Sequence, residues 1–431
     1  MNEMSNNLKT SPQSNKGLWL AIIVCIVIIA GTFYSVLVYF AFALAIAAVV
    51  LLKQDEALAL MMMVMPFANI FKIAPGTQSF FTYLMLFYAF WYFIKSRTVH
   101  KKFMFAFGGL VLYLILQMLI SMNTLRMIKF LVNILFIYLA VNSATSHNNK
   151  RIYLAYILGL AMSSLIVALN IFPNLVDYIS AKEEYIANEQ VARFAGMYGD
   201  PNYYSVNIII SLCLIVILNH KKELPTVPAI GLACLMVWFV ALTASKSAFL
   251  MLILPLILLL YSRIKKKNFL ILACVLSVSA VLVFQLLAGE IEIFSNVLLR
   301  LDDAADAESL TTGRAYIWNI YLRFLNENPQ VLWFGRGFGA DILSRLAPHN
   351  TYIDLLYYTG IIGTVLIVFV FGILTRIKRD KMRLNILNYS IWLCIGVMYF
   401  FLSELFYFDW AFHIVIAILI SKMDMRQAKE V

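Results

Sequence analysis

Apolar runs of about twenty residues, separated by short polar breaks, follow one another from Leu18 almost to the last residue of this chain. In a helix such a run reaches across the roughly 30 Å hydrocarbon core of a bilayer. Backbone amides in that core must satisfy one another, which helices do and irregular segments do not. The pattern therefore predicts an all-α polytopic membrane protein. Fourteen spans are expected, at about 18–31, 33–52, 56–72, 79–94, 103–121, 127–143, 152–171, 203–219, 226–242, 247–262, 268–288, 352–375, 385–402 and 406–421. The count falls to twelve or thirteen if the tight first pair, hinged at Gly31-Thr32, does not cross fully. Charged residues make up only 13% of the chain, against roughly 25% in soluble domains, so a water-soluble fold is excluded. No internal repeat or soluble-domain boundary interrupts the pattern, and residues 1–431 read as one integral membrane domain. The polar start, MNEMSNNLKTSPQSNK, leads into an apolar run without a small-residue cleavage site, which reads as a retained first helix.

Orientation follows from the basic residues. With both termini on the cytoplasmic side, the inner loops collect roughly two thirds of the 34 lysines and arginines, as the positive-inside rule requires. Clusters at Lys101-Lys102, Lys150-Arg151, Lys221-Lys222, Lys265–Lys267 and Arg376–Arg383 all fall there. The net charge of +11 is thus a topology signal and not a nucleic-acid footprint. Two outer segments are long, at about 172–202 and 289–351, the second preceding the third-last helix. Long loops in compact folds usually carry function. Both lie on one side, which places the expected site outside the plasma membrane.

Five histidines are present. His100, His147 and His220 sit in basic inner loops and read as solvated bystanders. His413 falls within the last apolar run and reads as a hydrogen-bonded core residue. His349 lies at the end of the longer outer loop, at the mouth of a helix and followed by Asn350, and is the candidate general base. Arg314 opens a helix after Thr311 or Thr312. A cation there opposes the helix dipole, so it either binds an anion together with the free amides or pairs with an acid between Asp302 and Glu308. Lys246, in ALTASKSAFL, sits in a tight turn between two outer helix ends. It reads as a phosphate-binding point charge or as a snorkelling lysine. Arg126 and Lys129, one helical turn apart at another outer end, are weaker candidates for anion binding, and Arg193 precedes GDPNYYS in the other long loop. Asp354 and Glu404 are placed to orient His349 or hold a sugar hydroxyl.

The Gly-rich GRGFG at 335–339 follows no buried strand and lacks the full dinucleotide spacing, so its glycines are read as tight turns that deliver His349. The five cysteines, Cys25, Cys213, Cys234, Cys274 and Cys394, all lie in apolar runs and read as small core residues. No histidine or carboxylate grouping has metal-ligand spacing, and no cofactor is expected.

The run His349-Asn350, nine residues, then Gly360-Ile361-Ile362-Gly363 resembles the H-[NSQ]-x9-G-x-x-G signature of the O-antigen ligase and O-antigen polymerase superfamily. Arg314-x3-Trp318, GRGFG, GDPNYYS and TASKS are similar to further elements of that family, and the order of the motifs agrees. Two positions depart from it: lysine stands at 246 where the family shows arginine, and Trp318 stands where it shows leucine. The resemblance implies a GT-C-like membrane glycosyltransferase with a metal-independent, inverting reaction. Its donor would be an undecaprenyl-pyrophosphate-linked oligosaccharide, and its acceptor another lipid-linked glycan in a polymerase or the lipid A–core in a ligase. It assigns His349 to the acceptor's proton and Arg314 and Lys246 to the pyrophosphate. Arg193, Asn202, Asn350 and Arg126 join them as candidate substrate-binding residues. Membrane lipids, a chain-length regulator and a flippase are the further implied partners. The leading expectation is a polymerase of repeat units for a surface polysaccharide, with the ligase as the close alternative. A transporter of a lipid-linked sugar or small anion is the alternative of another class. Such proteins show internal repeats and mid-membrane sites, whereas the polar residues here cluster at one face.

Overall fold

The computed structural model describes residues 16–95, 100–119, 124–143, 149–179, 183–186, 189–243, 245–263, 314–338, 348–376, 386–403 and 408–423. The chain builds α1 (Lys16–Gly31), α2 (Val36–Leu51), α3 (Gln54–Val64), α4 (Phe80–Lys95), α5 (Lys101–Met118), α6 (Thr124–Ser143), α7 (Asn149–Ala168), α8 (Pro201–His220), α9 (Thr226–Thr243), α10 (Lys246–Met251) and α11 (Ile253–Arg263). It continues with α12 (Arg314–Glu327), α13 (Pro329–Phe334), α14 (Thr351–Arg376), α15 (Ile386–Met398) and α16 (Phe408–Ser421). Among these, α5, α7, α8, α9, α14 and the Leu125–Asn142 part of α6 are long and apolar enough to cross a membrane. The apolar helices α1, α2, α4 and α16 are shorter. The protein is a polytopic helical membrane protein. The expected span at 268–288 lies outside the described residues, as do Thr311, Thr312, His147, Glu404 and the acids between Asp302 and Glu308.

Three expected spans take a different form. The run at 56–72 is helical only to Val64, then tightens into a 3₁₀ turn at Met65–Phe67. Pro66 has no amide hydrogen to continue the ladder, and its ring displaces the carbonyl four residues back. Every residue from Ala57 to Val64 is buried, so α3 is enclosed by protein all round and needs no lipid-facing length. The run at 247–262 is split at Leu252 into α10 and α11, because Pro255 ends the first helix at the residue four before it. The run at 352–375 is found as α14, but Gly360 inside it is non-helical, at φ +63° and ψ −178°. One element has no counterpart in the sequence reading. Strands β1 (Glu183–Ile186) and β2 (Glu189–Ala192) form an antiparallel hairpin between α7 and α8, with Glu183 opposite Ala192.

Close helix approach relies on small residues, as expected where lipid offers no hydrophobic contrast. At Gly159 of α7 an added Cβ would overlap the Met63 carbonyl of α3. Polar side chains in the interior are tied to one another. The Asn207 Oδ1 accepts from the Tyr156 hydroxyl at 2.7 Å and lies 3.0 Å from His413 Nε2, while Tyr399 Oη is 2.9 Å from His413 Nδ1. Because the Asn207 amide group donates to the Tyr203 carbonyl, its oxygen is an acceptor only. His413 must therefore carry its proton on Nε2 and accept from Tyr399 on Nδ1. It is the hydrogen-bonded core residue that its sequence position suggested.

Candidate functional site

The site is built around the start of α14. Asn350 is buried, and its Oδ1 accepts from the backbone amides of Tyr352 (3.0 Å) and Ile353 (3.1 Å). That is an N-cap, satisfying two amides that the helix itself leaves open. Thr351 fixes the same turn, donating its amide to the Tyr399 carbonyl at 2.9 Å and its hydroxyl to the Leu402 carbonyl. His349, half-buried, adopts φ +49°. A left-handed backbone costs a residue with a Cβ roughly 1–2 kcal/mol, and such strain persists where neighbours hold it. Asn350 holds one side. On the other, the indole of Trp318 donates to the Pro348 carbonyl at 2.8 Å. Trp318 is one helical turn beyond Arg314, so the spacing Arg314-x3-Trp318 links α12 to the histidine.

Nine residues further on, α14 breaks, and the break explains the two remaining motifs. At Gly360 the carbonyls of Tyr357 and Tyr358 lose their helical partners and accept instead from the amides of Arg336 (2.8 Å) and Gly337 (3.0 Å). The stretch Gly335-Arg336-Gly337 is therefore docked along the kink like a short strand. Gly335 and Gly360 touch backbone to backbone. A Cβ on Gly335 would overlap the Tyr358 carbonyl, and one on Gly360 would overlap the Gly335 amide nitrogen. Both also have positive φ, +74° and +63°, which glycine adopts freely. The hydroxyl of Tyr113 on α5 lies 2.8 Å from the carbonyls of both Phe334 and Thr359, which share its one proton. At Gly363 a Cβ would come within 2.6 Å of the Thr359 Cβ and 2.7 Å of the Tyr113 ring.

A second polar cluster sits where α8 begins. Asp200 caps that helix, its Oδ1 accepting from the Asn202 amide at 2.8 Å. Arg193 is buried, donating to the Thr243 carbonyl (3.1 Å) and to Asn202 Oδ1 (3.3 Å), and Ser245 Oγ donates to the same oxygen at 3.0 Å. Arg193 and Asn202 are thus brought together and tie the β-hairpin segment to the α9–α10 turn.

Between these clusters lies a cavity of about 740 Å³. It is lined by His349, Asp354 and Tyr358 of the α14 region, Asp200, Tyr198 and Tyr203 near α8, Lys72 and Asn69 before α4, and Arg126, Lys129 and Asn133 of α6. Ser403 and Asp409 complete it from the α15–α16 junction. Each contributing segment is one that the charge pattern leads one to expect at the outer end of a span. Three cations thus share one chamber with a histidine and three carboxylates. Lys72 donates to the Tyr178 carbonyl at 3.4 Å and lies 5.9 Å from the centre of that ring; burial pulls its ammonium below the ordinary lysine range. Asp354 and Asp409 are buried, and Asp409 is bonded to the Asn207 side chain that also holds His413. Such a chamber can bind a dianion against its cations while a histidine and carboxylates face hydroxyl groups.

Of the residues singled out from sequence, His349, Asp354, Arg126 and Lys129 line the cavity. Arg193, Asn202 and Asn350 stand beside it with their side chains engaged in protein hydrogen bonds. Arg314, at the first turn of α12, is not among the lining residues, and the side chain of Lys246 lies outside the described residues. Lys72 and Asp409 were missed because each was counted inside an apolar span. A charge within a membrane run is itself a functional signal, and that signal was present. Among the described residues no group of three or more histidine, cysteine, aspartate or glutamate side chains is placed to hold a metal ion.

No curated protein and no solved structure matches the chain. The cavity residues contributed by α4, α6, α8 and α16 lie outside the one segment with a match. That segment, residues 230–368, carries Lys246, Arg314, the docked Gly335-Arg336-Gly337 and the capped, kinked helix that follows His349, and it matches the family model described as O-antigen ligase.

Proposed function

We propose that this protein is a membrane glycosyltransferase that extends lipid-linked oligosaccharide repeat units into a surface polysaccharide. The observation that carries the reading is the shared chamber of His349 with Lys72, Arg126 and Lys129. A donor sugar linked to a polyprenyl diphosphate presents a multiply charged anion, which the three cations neutralise. His349 accepts the proton of the acceptor hydroxyl as that oxygen attacks the anomeric carbon. The carbon–oxygen bond to the diphosphate breaks, and the diphosphate leaves with the electron pair, stabilised by cations already in place. One displacement inverts the anomeric configuration. Asp354 and Asp409 face the same space as acceptors for sugar hydroxyls. Arg314 and Lys246 keep the part the resemblance assigns them, as further cations for the leaving group. The basic asymmetry of the loops supports an external position for the chamber.

The experiment is His349→Ala, produced at wild-type level in cells lacking the native protein, with surface and lipid-linked glycans separated on a gel. The polymerase reading expects long chains to disappear while single repeat units still reach their acceptor. The description of the matched family favours a second reading, a ligase acting on lipid A–core, and full-length chains stranded on the polyprenyl carrier would select it. An unchanged ladder would remove His349 from the chemistry altogether.

A further inference from the structure

The chamber does not open only toward the loops. Tyr83 and Leu86 on α4 and Leu125 and Ile128 on α6 line it and are 49%, 47%, 61% and 45% exposed, whereas Met85, which lines the same chamber from α4, is only 2% exposed. A side chain that meets both a cavity and the outer surface stands at a mouth. In each helix the two residues are three apart and share one face, so the mouth is a slot between two helix flanks. Its lower end is closed where the Tyr88 and Phe136 rings meet at 5.2 Å between centres. From Phe80 to Tyr88 the slot runs along roughly 12 Å of helix. Near its upper end Lys129 Nζ donates across it to Gln78 Oε1 at 3.4 Å. Of the two walls α6 is long and apolar enough to cross a bilayer and α4 is a shorter apolar helix, so the surroundings of their exposed apolar flanks are hydrocarbon and the slot opens sideways toward lipid.

On α6 the apolar pair Leu125 and Ile128 alternates with the cationic pair Arg126 and Lys129, each cation next in sequence to an apolar lip residue. A ligand lying in the slot therefore meets hydrocarbon-compatible walls along its length and two positive charges at its inner end. That is the chemistry of an isoprenoid chain ending in a diphosphate. We propose that the α4–α6 slot is the lateral entrance for the polyprenyl diphosphate donor, its chain resting on Tyr83, Leu86, Leu125 and Ile128 while its diphosphate passes to Arg126 and Lys129. The inference rests on the diphosphate reading above and adds the route and the residues that hold the chain.

The test uses the full-length protein in membranes and phosphorus-radiolabelled polyprenyl diphosphate as the probe. Photoreactive p-benzoylphenylalanine replaces Tyr83, Ile128 or, as control, Leu116, which is 54% exposed toward the loop end of α5 and does not line the chamber. Crosslinking at 83 and 128 should exceed that at 116 by about tenfold and fall when unlabelled polyprenyl diphosphate competes, since a built site saturates and bulk lipid does not. Equal labelling at all three positions, insensitive to competitor, would mean that ordinary membrane lipid fills the slot and would overturn the proposal. Protein that retains the probe but crosslinks at neither 83 nor 128 would overturn the slot alone and leave the chamber reading standing. Failure to retain the probe at all would remove both. As a second measurement, Leu86→Trp narrows the slot and should raise the donor KM several-fold with kcat unchanged, whereas Leu116→Trp should do neither. A donor KM that Leu86→Trp leaves at the wild-type value also counts against the entrance.

Discussion

The indole nitrogen of Trp318 lies 2.8 Å from the carbonyl oxygen of Pro348, one residue before the strained His349. The hydrogen bond crosses thirty positions of sequence and gives the left-handed turn a fixed wall. Trp318→Phe keeps the ring packing on Phe400 but removes the donor. A net hydrogen bond of this kind is worth about 1 kcal/mol, so stability should fall only slightly. Activity should fall further, by about tenfold, because the histidine loses its register. Turnover measured beside thermal aggregation temperature separates the two effects. Equal, small losses in both would deny the tryptophan a positioning role.

Arg126 and Lys129 should act on the donor and not on the acceptor. Removing a charge-assisted hydrogen bond costs about 1.5–3 kcal/mol, equivalent to roughly a ten- to hundredfold weaker interaction. Arg126→Gln and Lys129→Gln should each raise the donor KM or dissociation constant on that scale while leaving the acceptor KM in place. A change confined to the acceptor would reverse the assignment of the chamber walls.

Two glycines of α14 give opposite expectations. Gly360→Ala must accept a positive φ and a Cβ that overlaps Gly335, strain and crowding that together cost about 3 kcal/mol or more. Gly372 has nothing within 4 Å of a built Cβ and lies in helical backbone, so Gly372→Ala should be neutral or raise stability by up to about 1 kcal/mol. Thermal aggregation in detergent compares them directly. Equal melting of the two variants would deny the contact at the kink any energetic weight.

Lys72 makes the site sensitive to alkali. Burial favours its neutral form, which lowers its pKa, so its positive charge is lost at a lower pH than that of an ordinary lysine. Only the charged form attracts a diphosphate. Donor affinity should therefore be complete below the depressed pKa and decline as pH rises through it, with a bound anion shifting the decline upward. Lys72→Arg, which stays charged, should flatten that limb of the profile. A donor affinity that declines identically in both proteins would assign the titration to another group.

How much of this was legible before the structure depends on the distance over which each feature is encoded. Spans declare themselves locally, because twenty apolar residues have few alternatives in a bilayer. Their interruptions were readable too: Pro66 and Pro255 are where 56–72 and 247–262 depart from single helices. His349 stood out because a polar loop ended on it. Asn350 is a candidate substrate ligand by its motif, and a residue of its type before a helix is also a cap: its side-chain oxygen bonds two amides. GRGFG reads as turns, and Gly335 and Gly337 do have positive φ, but the partner of this segment is the gap that Gly360 leaves in α14, which no local pattern announces. Lys72, Asp200 and Asp409 reach His349 only through tertiary folding of segments far apart in the chain. Hydropathy had absorbed two of them into spans, and a charge tolerated inside an apolar run was the clue that went unused.

The touching backbones of Gly335 and Gly360 make two positions twenty-five residues apart behave as a single locus. Neither can take a side chain while the other's main chain stays where it is, so drift at one has no intermediate to pass through. A library randomised at either position alone should return glycine, and one randomised at both should return glycine pairs unless the docked segment is remodelled at the same time. The contact that seats the loop on the broken helix thus also restricts the mutational paths open to this end of the molecule.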